Sequence, residues 1–268
     1  MIAIAHTLAI SCYLGAAALA ATPFARRMPA PVRGVLALLT AGMLCHITAL
    51  VEFARAYGQM PFTGLGPSLS LAGALLAATL LCVELFAREV SLTLFAAPLA
   101  ALATTLAAVA GLVPGRGTPG AQGAWLGAHI VLSFLGIAAF TTAAAAGTMY
   151  LVERRELKSR RFGAVFRFFP PLETLDRVNH VAAVAGWLSL TLGVVLAVTY
   201  SVAYRDVAMA QMVWGFAAWL AVTTLTVGRV LRGWQARRAA VVSSVLFCVV
   251  MLLYVAVRLG TTSPGQFL

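Results

Sequence analysis

Two histidines lead the small set of side chains in this sequence that could do chemistry. The stretch GAWLGAHIVLSFLGIAAF, residues 123 to 140, is apolar enough to enter a bilayer and carries His129 near its start. Trp125 precedes His129 by four residues and Ser133 follows it by four, so on a helix all three share one face. The second ring is His46, set inside the apolar run GMLCHITALV. An imidazole changes charge near neutrality and ligates metals through either nitrogen. Two imidazoles facing a common cavity would ligate a haem iron from its two sides. The competing reading is that each ring donates a hydrogen bond to a carbonyl of a neighbouring helix. His6 opens the first apolar run and reads as a solvated ring, and His180, after Arg177 and Asn179, reads as a headgroup-level residue.

The other reactive residue types point away from catalysis. Cys12, Cys45, Cys82 and Cys248 each lie inside an apolar run with no C-x-x-C pair, so they read as buried small hydrophobes. All eight carboxylates, Glu52, Glu84, Glu89, Glu153, Glu156, Glu173, Asp176 and Asp206, fall at the ends of apolar runs or between them. A pump or cation channel would need one at membrane depth. The expectation is a binding protein and not an enzyme.

The elements that position these residues follow from composition. Hydrophobic residues make up 62% of the 268 positions and charged residues 10%, with a mean hydropathy of +0.95. Soluble domains hold about 45–50% apolar and about 25% charged residues, so this is a membrane protein. The net charge of +11 does not indicate nucleic acid, because the basic residues, nearly all arginine, cluster between the apolar runs. A spanning helix needs about 20 apolar residues, and eight segments qualify: about 3–21, 34–53, 68–86, 91–112, 125–151, 178–200, 209–228 and 239–257. Fifteen basic residues lie in the loops after the odd-numbered spans, against four in the loops after the even-numbered ones. The positive-inside rule then puts both termini outside the cytoplasm. The expected fold is an all-α integral membrane protein, a bundle of eight transmembrane helices forming one polytopic domain over residues 1–268.

Between the fifth and sixth spans lies a cytoplasmic amphipathic loop, 153–171. Phe162, Val165, Phe166 and Phe169 fall there at helical spacing beside Arg160, Arg161 and Arg167, as in a helix lying at the lipid surface. Pro170 and Pro171 end it, and Glu173 and Asp176 are placed in the first turn of the next helix. Small residues at Gly136, Ala143 and Gly147, and at Ser189, Gly193 and Ala197, provide stripes for close helix packing.

Two longer stretches carry a family resemblance. WLGAHIVLSFLGIAAF, from Trp125, is similar to the signature W-x-x-x-H-V-x-x-x-x-x-x-Y-A-A-F. RRFGAVFRFFPPLETLDRVNHVAAVAGWLSLTLGVVLA is similar to L-P-x-L-E-x-L-D-x-x-N-Y…G-F-x-x-L-T-x-G. Both belong to the cytochrome c assembly protein family, which includes the CcsA, ResC and CcmC types. The chain most resembles the smaller YpjD/HemX-like branch, over about 45–258. The resemblance implies a haem-binding or haem-handling protein of the bacterial inner membrane, active in cytochrome c biogenesis. Its partners would be membrane lipid, haem and assembly proteins. It places His129 as an outer-face haem ligand and His46 as a transmembrane one. Trp125, Arg205 and Asp206 join them at the cofactor, and Arg116 and Arg205 are available to its propionates. The family's histidines late in the seventh span and after the eighth are replaced here by LTVGR and RLGTTSPG, and of its tryptophan-rich loop only Asp206, Trp214 and Trp219 remain. A membrane adaptor that contacts a partner through residues 153–171 is the alternative function.

Overall fold

A computed structural model describes residues 1–23, 31–87, 90–115, 120–160, 168–204 and 209–260. Eight helices account for most of them: α1 (Ile2–Ala20), α2 (Val32–Tyr57), α3 (Leu65–Ala87), α4 (Thr93–Ala110), α5 (Gly120–Ser159), α6 (Leu172–Tyr204), α7 (Met209–Val230) and α8 (Ala236–Gly260). All eight are long and apolar enough to cross a membrane. No strand occurs among the described residues. The eight expected spans are all present, and α5 and α6 reach further than the hydropathy suggested. The first part of the expected amphipathic loop continues α5 to Ser159, because Glu153, Arg154, Arg155, Glu156, Leu157 and Lys158 are all good helix formers. Glu173 does lie in the first turn of α6, whereas Asp176 sits one turn deeper. Phe162, Val165 and Phe166 fall outside the described residues, and Phe169 packs edge-on against Phe95 at 6.3 Å.

The chain divides into two compact units. The first comprises the described residues of 1–115 and 152–174, and the second those of 120–151 and 175–260. In the first unit α1 packs on α2 and α4, and α3 packs on α2 and α4. The buried face of α1 runs through Ala5, Ala9, Ala16 and Ala20, small residues that let neighbouring backbones approach.

In the second unit α6 and α7 lie antiparallel in a register fixed by three hydrogen-bonded pairs. Arg229 reaches Asp176 at 2.7 Å, Thr226 the Ala183 carbonyl at 3.3 Å, and Trp219 the Thr191 hydroxyl at 3.0 Å. The core includes Phe140, Leu190, Val222 and Leu225 with interleaved alanines. The small-residue stripes pack where expected: a Cβ on Gly136 would stand 2.5 Å from Leu190 Cγ, and one on Gly193 would stand 2.8 Å from Ser133 Oγ. In this unit Leu188, Leu192, Val195, Val245 and Val249 are exposed, and in the first unit Leu44, Ile47 and Val51 are, surfaces suited to hydrocarbon and not to water. The cysteines correct their sequence reading. All four are free thiols, Cys12 and Cys45 half-buried, Cys82 and Cys248 exposed.

Candidate functional site

In the first unit the polar side chains gather around one serine. His6 sits one turn into α1, and its Nδ1 lies 3.0 Å from the Ile2 carbonyl while its Nε2 lies 2.7 Å from Ser70 Oγ on α3. His46 on α2 brings its own Nε2 to within 3.0 Å of the same Ser70 Oγ, and its Nδ1 is 3.2 Å from the Tyr13 hydroxyl of α1. The Ile2 carbonyl can only accept, and with both rings neutral this fixes every hydrogen. His6 Nδ1–H donates to Ile2, Ser70 O–H donates to His6, His46 Nε2–H donates to Ser70, and Tyr13 O–H donates to His46. His46 and Tyr13 are fully buried and His6 is 2% exposed. Gly42 permits the arrangement: one turn before His46, it lies so close to Tyr13 that a Cβ would stand 2.8 Å from the ring.

The reading of His6 as a solvated ring is therefore corrected: it is a member of a three-helix network. One signal was available, since His6, Ala9 and Tyr13 fall at i, i+3 and i+7 on a single face. Ser70 carried none. Beside His6 lies a cavity of about 340 Å³ lined in part by Ile2, Ala3, Thr7, Tyr57 and Leu112.

In the second unit the signature residues of α5 face α6. His129 Nδ1–H donates to the Gly193 carbonyl at 2.8 Å, and Ser133 Oγ stands 3.4 Å from the same nitrogen. Trp125 Nε1–H donates to the Leu196 carbonyl at 3.1 Å, and its ring meets Tyr204 edge-on at 6.2 Å. The glycine at 193 matters for this: with no side chain there, α5 approaches α6 closely enough for an imidazole to reach a backbone carbonyl. No partner faces His129 Nε2 among the described residues. With its hydrogen on Nδ1, a neutral ring presents a free lone pair at Nε2. A ligating histidine has this form, one nitrogen donating to a carbonyl and the other left for the metal.

His129 thus has one nitrogen available to a metal as it stands. His46 has both nitrogens engaged and would have to release Ser70 or Tyr13 first. Arg116, Arg205 and Asp206 lie outside the described residues. Trp214 and Trp219 belong to α7, not to a loop, and donate to the Val250 carbonyl and the Thr191 hydroxyl.

The LETLDRVN stretch builds a further polar cluster within the second unit. Asn179 Nδ2 donates to the Ala143 carbonyl at 2.6 Å and to Ser243 Oγ at 2.9 Å, while its Oδ1 accepts from Arg229 at 3.1 Å. Four helices meet at this one amide. Among the described residues no group of three or more histidines, cysteines and carboxylates is placed to hold a bare metal ion.

The sequence profile of the family described as Cytochrome C assembly protein matches residues 3–263. Comparison with curated proteins and with solved structures gave no match.

Proposed function

The chain belongs to the cytochrome c assembly protein family, and from that premise we propose that it binds haem within cytochrome c biogenesis, with His129 as the axial ligand. One observation carries the reading: the Gly193 carbonyl holds His129 Nδ1–H at 2.8 Å and leaves Nε2 to bind iron. Haem, when bound, would supply a redox-active iron, and the His129 imidazole would hold it and tune its electronic character. The protein's own part is to fix the imidazole, to offer an aromatic wall through Trp125 and Tyr204, and to neutralise carboxylates. Arg205 and Asp206, which follow Tyr204 directly in sequence, are the residues the family resemblance assigns to the cofactor, Arg205 by its charge to a propionate.

The function is binding and presentation, with no bond made or broken on the protein. The basic loops support an orientation with both termini outside the cytoplasm, and with it a position for His129 in the outer half of a bacterial inner membrane.

An absorption spectrum of the purified, haem-supplemented protein tests this. The expected result is a Soret band that His129→Ala abolishes and His46→Ala leaves in place. A band lost only with His46→Ala would move the ligand to His46. No band in the wild type would refute haem binding and favour the adaptor.

A further inference from the structure

The turn between α7 and α8 gathers positive charge that no ion pair among the described residues compensates. It carries Arg232, Arg237 and Arg238 within seven residues, all exposed. Among the described residues the ion pairs join Arg55 to Glu52 and Arg229 to Asp176, and none involves these three arginines. No acidic residue stands in the first turn of α8, so the positive end of that helix adds to the same field.

The turn is also shaped. Gly233 adopts φ 58°, and Trp234 N–H donates to the Gly228 carbonyl at 3.1 Å. This folds the indole onto α7, where a Cβ on Gly228 would stand 2.5 Å from the ring. Arg238 lies over the indole, 4.4 Å from its centroid. A cavity of about 220 Å³ opens beside them, lined by Thr223, Thr224, Val227, Gly228, Arg232 and Trp234. Thr223 Oγ1 is buried and has no hydrogen-bond partner among the described residues.

These features form a sequence along one line. Arginines and an indole occupy the helix end, and the cavity beside them runs back along α7 to the Thr223 hydroxyl, about 10 Å from the helix end at 1.5 Å per residue. A soluble anion would use the arginines and leave the cavity empty. A diacyl phospholipid uses all three, with its phosphate at the cations, an ester carbonyl in the cavity at the hydroxyl, and its chains continuing beyond Thr223 over the exposed Leu220 and Phe216 of α7. We propose that the α7–α8 turn is a binding site for an anionic membrane phospholipid, its phosphate held by Arg232 and Arg238 and an ester carbonyl accepting from Thr223. The site is independent of haem binding.

The test uses full-length protein in neutral detergent, with the unfolding midpoint followed during titration with phosphatidylglycerol, phosphatidylcholine or glycerol 3-phosphate. Phosphatidylglycerol is expected to raise the midpoint saturably and the other two to leave it unchanged. The double variant R232Q/R238Q is expected to need ~30-fold more phosphatidylglycerol, from about 1 kcal/mol per arginine near an anionic surface. Arg33→Gln, at another basic position, is expected to behave like wild type. Native mass spectrometry of wild type and of the single variant R232Q provides a second reading should the double variant not fold: one phosphatidylglycerol retained by wild type and lost from R232Q. Equal shifts with phosphatidylcholine, a wild-type titration by R232Q/R238Q, or equal retention by R232Q would overturn the site. A full shift with glycerol 3-phosphate would replace the lipid with a soluble phosphate.

Discussion

His6 and His46 meet edge to face with 5.4 Å between ring centroids, and both point Nε2 at the single hydroxyl of Ser70. Two rings from two helices are thereby tied to a third helix through one oxygen. Because that hydroxyl gives one hydrogen and receives another, each ring depends on the other for its tautomer.

The first prediction follows from that dependence. His46→Ala strips partners from both Ser70 and Tyr13 and should destabilise the protein by about 1–3 kcal/mol. His6→Ala should cost a similar amount. The double variant should cost less than the sum, because Ser70 has lost its network after either change. Unfolding midpoints in detergent measure all three, and strict additivity would show that the rings act separately.

Gly136 and Gly215 provide a matched pair. Gly136→Ala drives a methyl against Leu190 and should cost about 1–3 kcal/mol by overpacking. Gly215 has no atom within 4 Å of where a Cβ would go, so Gly215→Ala should be neutral or slightly stabilising through helix propensity. Equal effects at the two sites would mean that α5 and α6 do not approach closely at Gly136.

Arg229 is a charge set deep among polar partners, its side chain 10% exposed and paired with Asp176 at 2.7 Å. Arg229→Gln should destabilise by about 1–3 kcal/mol, with the reverse partner Asp176→Asn costing less because that side chain is more exposed. A double-mutant cycle should return a coupling of about 1 kcal/mol or more. A coupling near zero would reduce the pair to a surface ion pair.

Orientation is open to direct measurement. A reporter fused after Leu268 should be active only outside the cytoplasm, and one inserted after Ser159 only within it. The opposite pattern would reverse the bundle and remove His129 from the outer half of the bilayer.

What the sequence conveyed depended on how local each interaction is. Span number came from run length alone, so all eight helices were legible. Helix ends were not: residues 153–159 look like loop by hydropathy, yet they are strong helix formers that continue α5 into polar surroundings. Of the candidate site, Trp125 and His129 were legible because they share one helix face. The carbonyls they reach, Leu196 and Gly193, belong to backbone and leave no mark on composition. His6 was obscured by its position near a chain end, where a wet ring is the ordinary expectation. Its partner Ser70 is 64 residues away, and a lone serine in an apolar run attracts no notice.

Glu84 lies in the last turn of α3, 1% exposed, and its Oε1 accepts both the backbone N–H of Thr93 at 2.7 Å and the Thr93 hydroxyl at 3.0 Å. The carboxylate thus caps the start of α4 from the neighbouring helix. During membrane insertion, α3 arriving ahead of α4 would lack both of these Thr93 donors to the carboxylate at its end. Nine residues later the chain delivers them. The α3–α4 hairpin is therefore the natural unit of translocon release, and a ribosome stalled with α3 emerged and α4 still in the exit tunnel should hold α3 at the lateral gate until Thr93 follows.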